Sequence, residues 1–315
     1  SMLAFWDIVF FVQYAYIALF LGLYALEVYI ILKQESSRSQ FRTPFYKLFV
    51  IGAILDINFE LLATIIHRIP MSPIMNGIFA HYEPTLAMTL VYGVAYYLPA
   101  AQEYLNIFIA LNRLTAIVFN AYHNKIWHYL TPASILFTLT VPLISVWYLF
   151  LCPIISIPVQ EDNYTYYIMT ADVANTFPGI SPPLRTAILI IGGASICLVL
   201  YTITALWMRY VPGLTKIDVD KRLFYFGATL FILNIPCAAL QITLFQLGPT
   251  IENLFFAYKC LPFLVDIKSL LPPILLFVYN KSIRIKCYEF FGMKQRVKRV
   301  SERSFSKTVG SRVQV

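Results

Sequence analysis

Residues 8–38, IVFFVQYAYIALFLGLYALEVYIILKQESSR, decide the fold of this chain. The stretch Ile8–Leu32 is almost wholly apolar, and a helix of about 20 residues, rising 1.5 Å per residue, crosses a hydrocarbon core of about 30 Å. Two cations, Lys33 and Arg38, follow it closely. This stretch therefore predicts a membrane-spanning helix with a positively charged flank.

The same kind of stretch recurs along the chain. The seven apolar stretches are Ile8–Leu32, Tyr46–Ile66, Leu86–Leu111, Pro132–Leu151, Leu184–Trp207, Leu223–Leu247 and Phe255–Tyr279. The composition agrees with membrane residence, because the 315 residues are 59% hydrophobic and 13% charged, whereas soluble domains carry about 25% charged residues. We expect an all-α membrane protein, a seven-transmembrane helix bundle.

The positive charges indicate how the bundle is oriented. Twenty of the 24 Lys and Arg residues lie in alternate gaps between the stretches or in the C-terminal tail, and the exceptions are Arg68, Arg185, Lys259 and Lys268. Short cytoplasmic loops collect Lys and Arg. The N-terminus is therefore predicted outside and the C-terminus inside. The net charge of +8 then faces the anionic inner leaflet of a lipid bilayer, and no nucleic-acid partner is predicted.

The chain divides into residues 1–280, the bundle, and residues 281–315, a basic juxtamembrane helix with a cytosolic tail. In the segment Lys281–Lys294, apolar residues recur every three to four positions, as expected for a short helix in the membrane interface. Cys287 on this helix is a candidate for reversible acylation. The alternative interpretation is a basic flank that contains a cysteine by chance.

A second modification is predicted on the opposite side of the membrane. The longest outer segment, Pro153–Pro183, contains Asn163-Tyr164-Thr165, an acceptor pattern for N-glycosylation. Asn163 is therefore a glycosylation candidate, which would make the chain a glycoprotein.

Several polar residues are predicted to share one layer deep in the membrane. Counted from the inner boundary at 1.5 Å per residue, Asp56 and Glu103 lie about 14 and 15 Å deep, and Lys268 about 20 Å deep. The candidates in or beside this layer are Asp56, Glu60, Gln102, Glu103, Asn234, Asp266 and Lys268. Because an unpaired charge there is costly, Lys268 needs a partner, and Glu60 or Asp56 matches its depth.

Three interpretations of this layer remain open. It is a hydrogen-bonded network that packs the bundle, or a ligand pocket or activation switch. A third interpretation takes Lys268 as a Schiff-base site for retinal, but no opsin-like sequence surrounds it. Nothing indicates an enzyme, a metal site or a cofactor, because the four histidines form no ligand cluster and no Gly-rich phosphate loop occurs.

The third stretch and the loop after it carry a more specific pattern. Residues 97–127 read YLPAAQEYLNIFIALNRLTAIVFNAYHNKIW, with Gln102 ten residues before Asn112-Arg113 and then Lys125-Ile126-Trp127. This segment resembles the third span and second inner loop of nematode serpentine chemoreceptors of the gamma-class superfamily, gamma or v class. Asp266, followed by the run Pro273-Ile274-Leu275-Leu276 and a later Arg284, resembles the seventh span of that family.

The resemblance covers nearly the whole chain and implies a G-protein-coupled-type receptor. It implies a small-molecule ligand, environmental or pheromone-like, and a heterotrimeric G-protein partner. It also implies a location in the plasma membrane of a sensory neuron. We expect opening of the inner face to uncover a basic-aromatic coupling surface. Its candidate residues are Asn112, Arg113, Lys125, Trp127, Lys216, Lys221 and Arg222.

Departures from the broader rhodopsin-like pattern leave an alternative open. Asn112 stands where that group has an acid before Arg113, and the seventh stretch lacks Asn-Pro-x-x-Tyr. The alternative function is a polytopic transporter or channel subunit that uses the charged layer for ion-coupled movement. Against it stand the odd number of spans and the lack of an internal repeat.

Overall fold

A computed structural model describes residues 5–35, 39–72, 76–161, 164–210, 218–247 and 250–292 of the chain. Most of these residues are helical, and each long helix overlaps one of the seven apolar stretches. The bounds differ most in the fourth stretch, because α5 begins at His123, nine residues before the predicted start at Pro132. The helices are α1 Phe5–Glu35, α2 Pro44–Ala63, α3 Ile69–Met71, α4 Leu86–Val118, α5 His123–Thr140, α6 Pro142–Val146, α7 Val173–Thr176, α8 Pro182–Tyr210, α9 Asp218–Leu247, α10 Ile251–Tyr279 and α11 Lys281–Phe290.

The second and fourth stretches form composite helices. A π-helix, Thr64–Arg68, continues α2 directly into α3, so this helix passes the predicted end at Ile66. In the fourth stretch, α5 ends next to Pro142 and continues as α6 and a 3-10 turn, Trp147–Phe150. A proline has no backbone N–H to donate, and that explains the interruption there.

Six helices of the described part are long and apolar enough to cross a membrane. They are Asp7–Gln34, Pro44–Met71, His123–Phe150, Pro182–Tyr210, Phe224–Gln246 and Phe255–Tyr279. The remaining long helix, α4, is more polar, but it packs against α2, α5, α8 and α9 and lies at the centre of the bundle. Its polar side chains are therefore surrounded by protein, which is where membrane proteins tolerate them.

A β-hairpin, which the sequence did not predict, covers one end of the bundle. Strand β1, Ile154–Glu161, pairs antiparallel with β2, Tyr164–Ala171, in the register Ile154↔Ala171 to Glu161↔Tyr164. The hairpin packs on α3 and α4 through a buried face that includes Ile154 and Ile168. We call this end of the bundle the hairpin end.

The short helix α11 marks the opposite end, which we call the α11 end. The side chain of Asn280 caps this helix by accepting hydrogen bonds from the backbone N–H groups of Ser282 and Ile283, at 3.0 and 3.2 Å. The Asn280 amide also donates to the Tyr46 hydroxyl at 2.6 Å, so α11 is tied to α2. A helix was predicted here, and it is present as far as Phe290.

The largest apolar core lies toward the α11 end, where α1, α2, α4, α10 and α11 meet. It is built from aromatic rings, and the Phe45 and Phe226 rings pack edge to face at 5.7 Å between centroids. A smaller core at the hairpin end joins α4 to the hairpin and includes Tyr92 and Met169. Several polar side chains and the two cavities described below lie between these two cores.

Candidate functional site

The main cavity, with a volume of about 110 Å³, lies inside the bundle toward the hairpin end. Its walls come from α2 with its π-helix, α4, α6, α8, α9 and α10. Most of the wall is aliphatic or aromatic, and three charged residues line it: Glu103, Arg185 and Lys268. An apolar cavity with a few polar groups is the usual form of a small-molecule site.

The deep wall of the main cavity contains an ion pair. Lys268 Nζ on α10 lies 2.5 Å from Glu103 Oε1 on α4, and Asn234 on α9 donates its amide to Glu103 Oε2 at 3.0 Å. The Lys268 side chain is 12% exposed and that of Glu103 3%. This Lys268 pair therefore joins three long helices at the cavity wall.

A second, smaller cavity lies on the other side of Lys268, and we call it the inner cavity. Its volume is about 40 Å³, and its lining includes Lys268, Asn234, Asp56 and Gln102. Asp56 accepts a hydrogen bond from the Tyr24 hydroxyl at 2.6 Å and another from the Gln102 amide. Since Lys268 lines both cavities, it separates the space around Asp56 from the main cavity.

Arg68 is the centre of another polar group, which lies between α1, α2 and α10. Its Nη2 atom lies 2.8 Å from Glu60 Oε1 and also contacts Asp266 Oδ1, while Tyr16 donates its hydroxyl to Asp266 Oδ2. We call the set Arg68, Glu60, Asp266 and Tyr16 the Arg68 cluster. The Arg68 and Glu60 side chains have no exposed surface, whereas Tyr16 is partly exposed and lies at the edge of the cluster.

The π-helix places Arg68 in this cluster. The Arg68 Nη1 atom donates to Thr64 Oγ1 at 2.9 Å, and the Thr64 hydroxyl donates to the Glu60 carbonyl oxygen at 3.0 Å. The next residue back, His67, instead lines the main cavity and packs edge to face on the Tyr258 ring at 5.1 Å. Single-turn π-helices occur frequently at functional sites.

The expected partners of Lys268 were wrong. Lys268 pairs with Glu103, Glu60 pairs with Arg68, and Asp56 is hydrogen-bonded to Tyr24 and Gln102. Depth along the membrane normal does not give the direction in which a side chain leaves its helix. The seven candidates of the polar layer nevertheless fall into three groups. Glu103 contacts Lys268 and Asn234, and Asp56 contacts Gln102. Glu60 and Asp266 both contact Arg68.

Several residues that line the cavity or hold the clusters were not among the predicted candidates. They include Arg68, His67 and Arg185, and also Tyr16 and Tyr24, which donate hydrogen bonds to Asp266 and Asp56. Arg68 and Arg185 are two of the four cations that depart from the charge rule. That departure could have identified them as candidates, because a cation away from the inner boundary needs either a buried acid or a ligand as its partner. His67 had no such signal.

At the α11 end, Arg113 and Asn112 are buried. Arg113 is 3% exposed, its guanidinium lies 4.3 Å from the centroid of the Phe45 ring, and its Nη2 donates to the Asn112 side chain at 2.6 Å. Trp127 is 1% exposed and donates its indole N–H to Thr115 Oγ1 at 2.7 Å. Arg113 and Trp127 therefore form no open surface in this conformation.

The other coupling candidates differ in what the structure says of them. Lys125 is exposed at the start of α5. Lys221 and Arg222 belong to α9, but their side chains are outside the description, and Lys216 lies outside the described residues. Asn163, the glycosylation candidate, also lies outside them, between the two strands in sequence.

The structure argues against Cys287 as an acylation site in this conformation. Its side chain is 2% exposed and packs into the large core with Ile283, whereas Phe290 and Phe291 point outward. Burial raises the pKa of the Cys287 thiol to about 12, and the nearby Glu27 carboxylate acts in the same direction. A thiol that stays protonated is a poor nucleophile.

A bundle of long apolar helices around a central polar helix, with an internal cavity walled by six of its segments, defines a multi-pass membrane protein. Comparison with known proteins specifies the family. The family model of the Srg family chemoreceptor matches residues 10–287, and the chain therefore belongs to that family. This confirms the resemblance found in the third and seventh stretches. The family has seven transmembrane helices, and its members are chemoreceptors.

Individual relatives agree with the family. Serpentine receptor class gamma-10 of Caenorhabditis elegans is 22% identical over 305 residues, which are 92% of this chain and 86% of that relative. Serpentine receptor class gamma-20 of the same organism is 26% identical over 141 residues, 43% of this chain and 40% of that relative. Serpentine receptor class V-1 is 30% identical over 127 residues, 40% of each chain. Similarity thus extends to both the gamma and V classes.

Proposed function

We propose that this chemoreceptor binds an environmental or pheromone-like small molecule in the main cavity and signals to a heterotrimeric G protein. The observation that carries the proposal is the Lys268 pair, because it lies in the cavity wall and at the same time joins α4, α9 and α10. A molecule in the cavity that contacts Lys268 or Glu103 alters a contact between helices. Ligand binding and helix rearrangement are thereby coupled.

The inner cavity provides a second position for Lys268. Asp56 lines that cavity together with Lys268 and has no cation within ion-pair distance among the described residues. A ligand that takes over Glu103 frees Lys268 to move toward Asp56, and α10 moves with it relative to α4. The ligand favours the rearranged state by as much as it binds that state more tightly.

At the α11 end, the same rearrangement has to expose Arg113. Its guanidinium lies over the Phe45 ring of α2, so separation of α2 from α4 uncovers it. Arg113 with the basic residues of the neighbouring loops then forms a groove for the C-terminal helix of a G-protein α subunit. The further candidates for this groove are Asn112, Lys125, Trp127, Lys216, Lys221 and Arg222.

The charge distribution supports an orientation with the α11 end in the cytosol and the hairpin end outside. Membership of a chemoreceptor family supports the plasma membrane of a sensory neuron as the location. On this orientation residues 281–315 form the cytosolic juxtamembrane helix and tail, and Asn163 is available for glycosylation. A tail epitope that is stained on intact, unpermeabilised cells contradicts the orientation.

The experiment that tests the proposed function is ligand-dependent nucleotide exchange. Cells that express the chain are screened with a small-molecule panel and a calcium readout, and positive compounds are then tested on purified receptor with a heterotrimeric G protein. Exchange that depends on both compound and receptor supports the proposal. Uptake of the compound into receptor-containing vesicles without any exchange indicates a transporter instead.

A further inference from the structure

The third charged residue of the main cavity, Arg185, differs from the other two. It lies in the first turn of α8 at the hairpin end and is exposed, with its guanidinium 5.2 Å from the centroid of the Tyr148 ring. No carboxylate of the described residues lies within ion-pair distance of it. Lys268, by contrast, is neutralised by Glu103. The cavity is thus positively charged at the hairpin end and electrically balanced at its deep end.

The distance between these two ends follows from α8. A Cβ added at Gly193 would lie 3.6 Å from Glu103 Oε2, so Gly193 marks the level of the Lys268 pair on this helix. Arg185 and Gly193 are eight residues apart in sequence, or about 12 Å along the helix at 1.5 Å per residue. The wall between them is mostly apolar, with Leu189, Ile190 and Val265 among its residues.

The wall also holds one buried polar atom that lacks a partner. His67 Nδ1 makes no hydrogen bond within the described part of the chain, although the side chain is buried in the cavity wall. A buried polar atom without a partner is costly, and a hydroxyl or carbonyl of a bound molecule would satisfy it.

A groove on the outside of the bundle leads to the same residues. It has a volume of about 430 Å³, lies between α4, α6 and α8, and shares Glu103, Ser145, Arg185 and Leu189 with the main cavity. Its lining is otherwise largely aliphatic. A molecule with an apolar body can reach Arg185 and the cavity through this groove from the surrounding hydrocarbon.

From these observations we infer that the main cavity binds an amphipathic anion, a molecule with a carboxylate head and an apolar body. The carboxylate pairs with Arg185 in the two-pronged geometry that a guanidinium offers, and the Tyr148 ring holds the guanidinium in place. The apolar body extends along α8 toward the Lys268 pair. An amine of the same shape is repelled by Arg185, and an alcohol lacks the charge-assisted bonds. This inference rests on the proposed function, since it names the ligand class of the same cavity.

The test compares three probes with one chain length and different heads: octanoic acid, octanol and octylamine. Binding is measured to purified receptor in neutral phosphatidylcholine discs, and protein-free discs correct for partition into lipid. Octanoic acid is expected to bind Arg185→Met at least about tenfold more weakly than the unaltered chain, the range for a charge-assisted hydrogen bond. Octanol binding should not change, and Arg185→Lys should restore part of the acid binding.

A matched control removes a positive charge at the same end without touching the cavity. Lys259 on α10, with Nζ 4.2 Å from the Phe255 ring centroid, is suited to this, and Lys259→Met should leave octanoic acid binding unchanged. Equal loss in both variants means that general surface charge, not Arg185, attracts the acid, and overturns the inference. Equal binding of octylamine and octanoic acid also overturns the inference. The same holds if no straight-chain acid from butanoic to dodecanoic binds.

Binding without a G protein keeps this outcome separate from that of the proposed function. If the acid binds as expected but no nucleotide exchange follows, the ligand class stands and the signalling proposal fails. If neutral compounds drive exchange and no acid binds, the receptor function stands and the anionic ligand class is wrong.

Discussion

Arg68 and Lys268, two cations in the interior of the bundle, are held in different ways. Arg68 contacts two carboxylates, Glu60 and Asp266, and its side chain is fully enclosed by α1, α2 and α10. Lys268 contacts one carboxylate and lies between two cavities. A buried ion pair whose surroundings are filled with protein can only be broken by moving helices, whereas one at a cavity wall can be broken by a small molecule. The Arg68 cluster is therefore expected to stabilise the bundle, and the Lys268 pair to respond to a ligand.

The largest effect is expected for Arg68→Met. This change leaves Glu60 and Asp266 buried without their cation, and removal of one partner of a buried pair typically costs about 3–5 kcal/mol. We expect little folded receptor at the cell surface, measured by quantitative surface labelling.

A combined variant separates the charge effect from lost packing. Arg68→Met together with Glu60→Gln and Asp266→Asn removes all three formal charges and should recover much of the surface level. If Arg68→Met alone reaches the unaltered surface level, the Arg68 cluster is not a stabilising contact.

A smaller loss of stability is expected for Lys268→Met. Glu103 keeps its hydrogen bond from Asn234, so we expect a cost of about 2–3 kcal/mol, near the upper end for a buried group that loses one partner. The thermal unfolding midpoint of the purified receptor measures it.

The response to ligand distinguishes the two sites more sharply. Lys268→Met with Glu103→Met should fold nearly as well as the unaltered chain, yet give no ligand-dependent nucleotide exchange. Normal exchange in this double variant would mean that the Lys268 pair only packs the bundle.

At the α11 end, Arg113→Ala should cost little stability. The variant loses a contact between a guanidinium and the Phe45 ring, worth about 0.5–2 kcal/mol, and also the hydrogen bond from Arg113 to Asn112. The surface level should remain well above that of Arg68→Met. Ligand-stimulated exchange should be lost. Arg42→Ala provides a matched loss of one cation near the same end, and exchange in that variant should persist.

The smallest effect concerns the thiol of Cys287, whose pKa burial raises to about 12. Its thiolate population at neutral pH is far below that of a free cysteine, whose pKa is about 8.5. Maleimide labelling of Cys287, followed by mass spectrometry of the peptide, should be slow at pH 7 and should accelerate as pH rises toward the folded-state pKa. Rapid labelling at pH 7 would show that α11 leaves the bundle readily and would reopen acylation.

Much of the fold could be predicted from the sequence, because hydropathy and charge act locally along the chain. The apolar stretch Leu223–Leu247 ends where α9 ends, and Phe255–Tyr279 ends with α10. The hairpin was missed since its buried face depends on contacts with α3 and α4, and these lie far away in sequence. The orientation of the termini stays a prediction.

The candidate site was predicted in part. The residue types and depths of Asp56, Glu103 and Lys268 were visible in the sequence, but the pairs were not, because the rotation of each helix about its axis is set by packing. In the sequence Arg185 is visible only as an exception to the charge rule. Its position at the cavity depends on how α8 packs against the other helices.

The π-helix Thr64–Arg68 gives the chain a sensitivity to length as well as to side-chain chemistry. Each hydrogen bond of a π-helix joins residues five apart in sequence, one more than in an α-helix. Within this π-helix, His67 lines the main cavity and Arg68 belongs to the Arg68 cluster. Deletion of one residue here would restore α-helical spacing and rotate all that follows by about 100°. Both side chains would leave their sites at once. A relative that lacks this extra residue would need different partners on α1 and α10, so a single-residue gap at this point in an alignment marks a receptor with a differently built cavity.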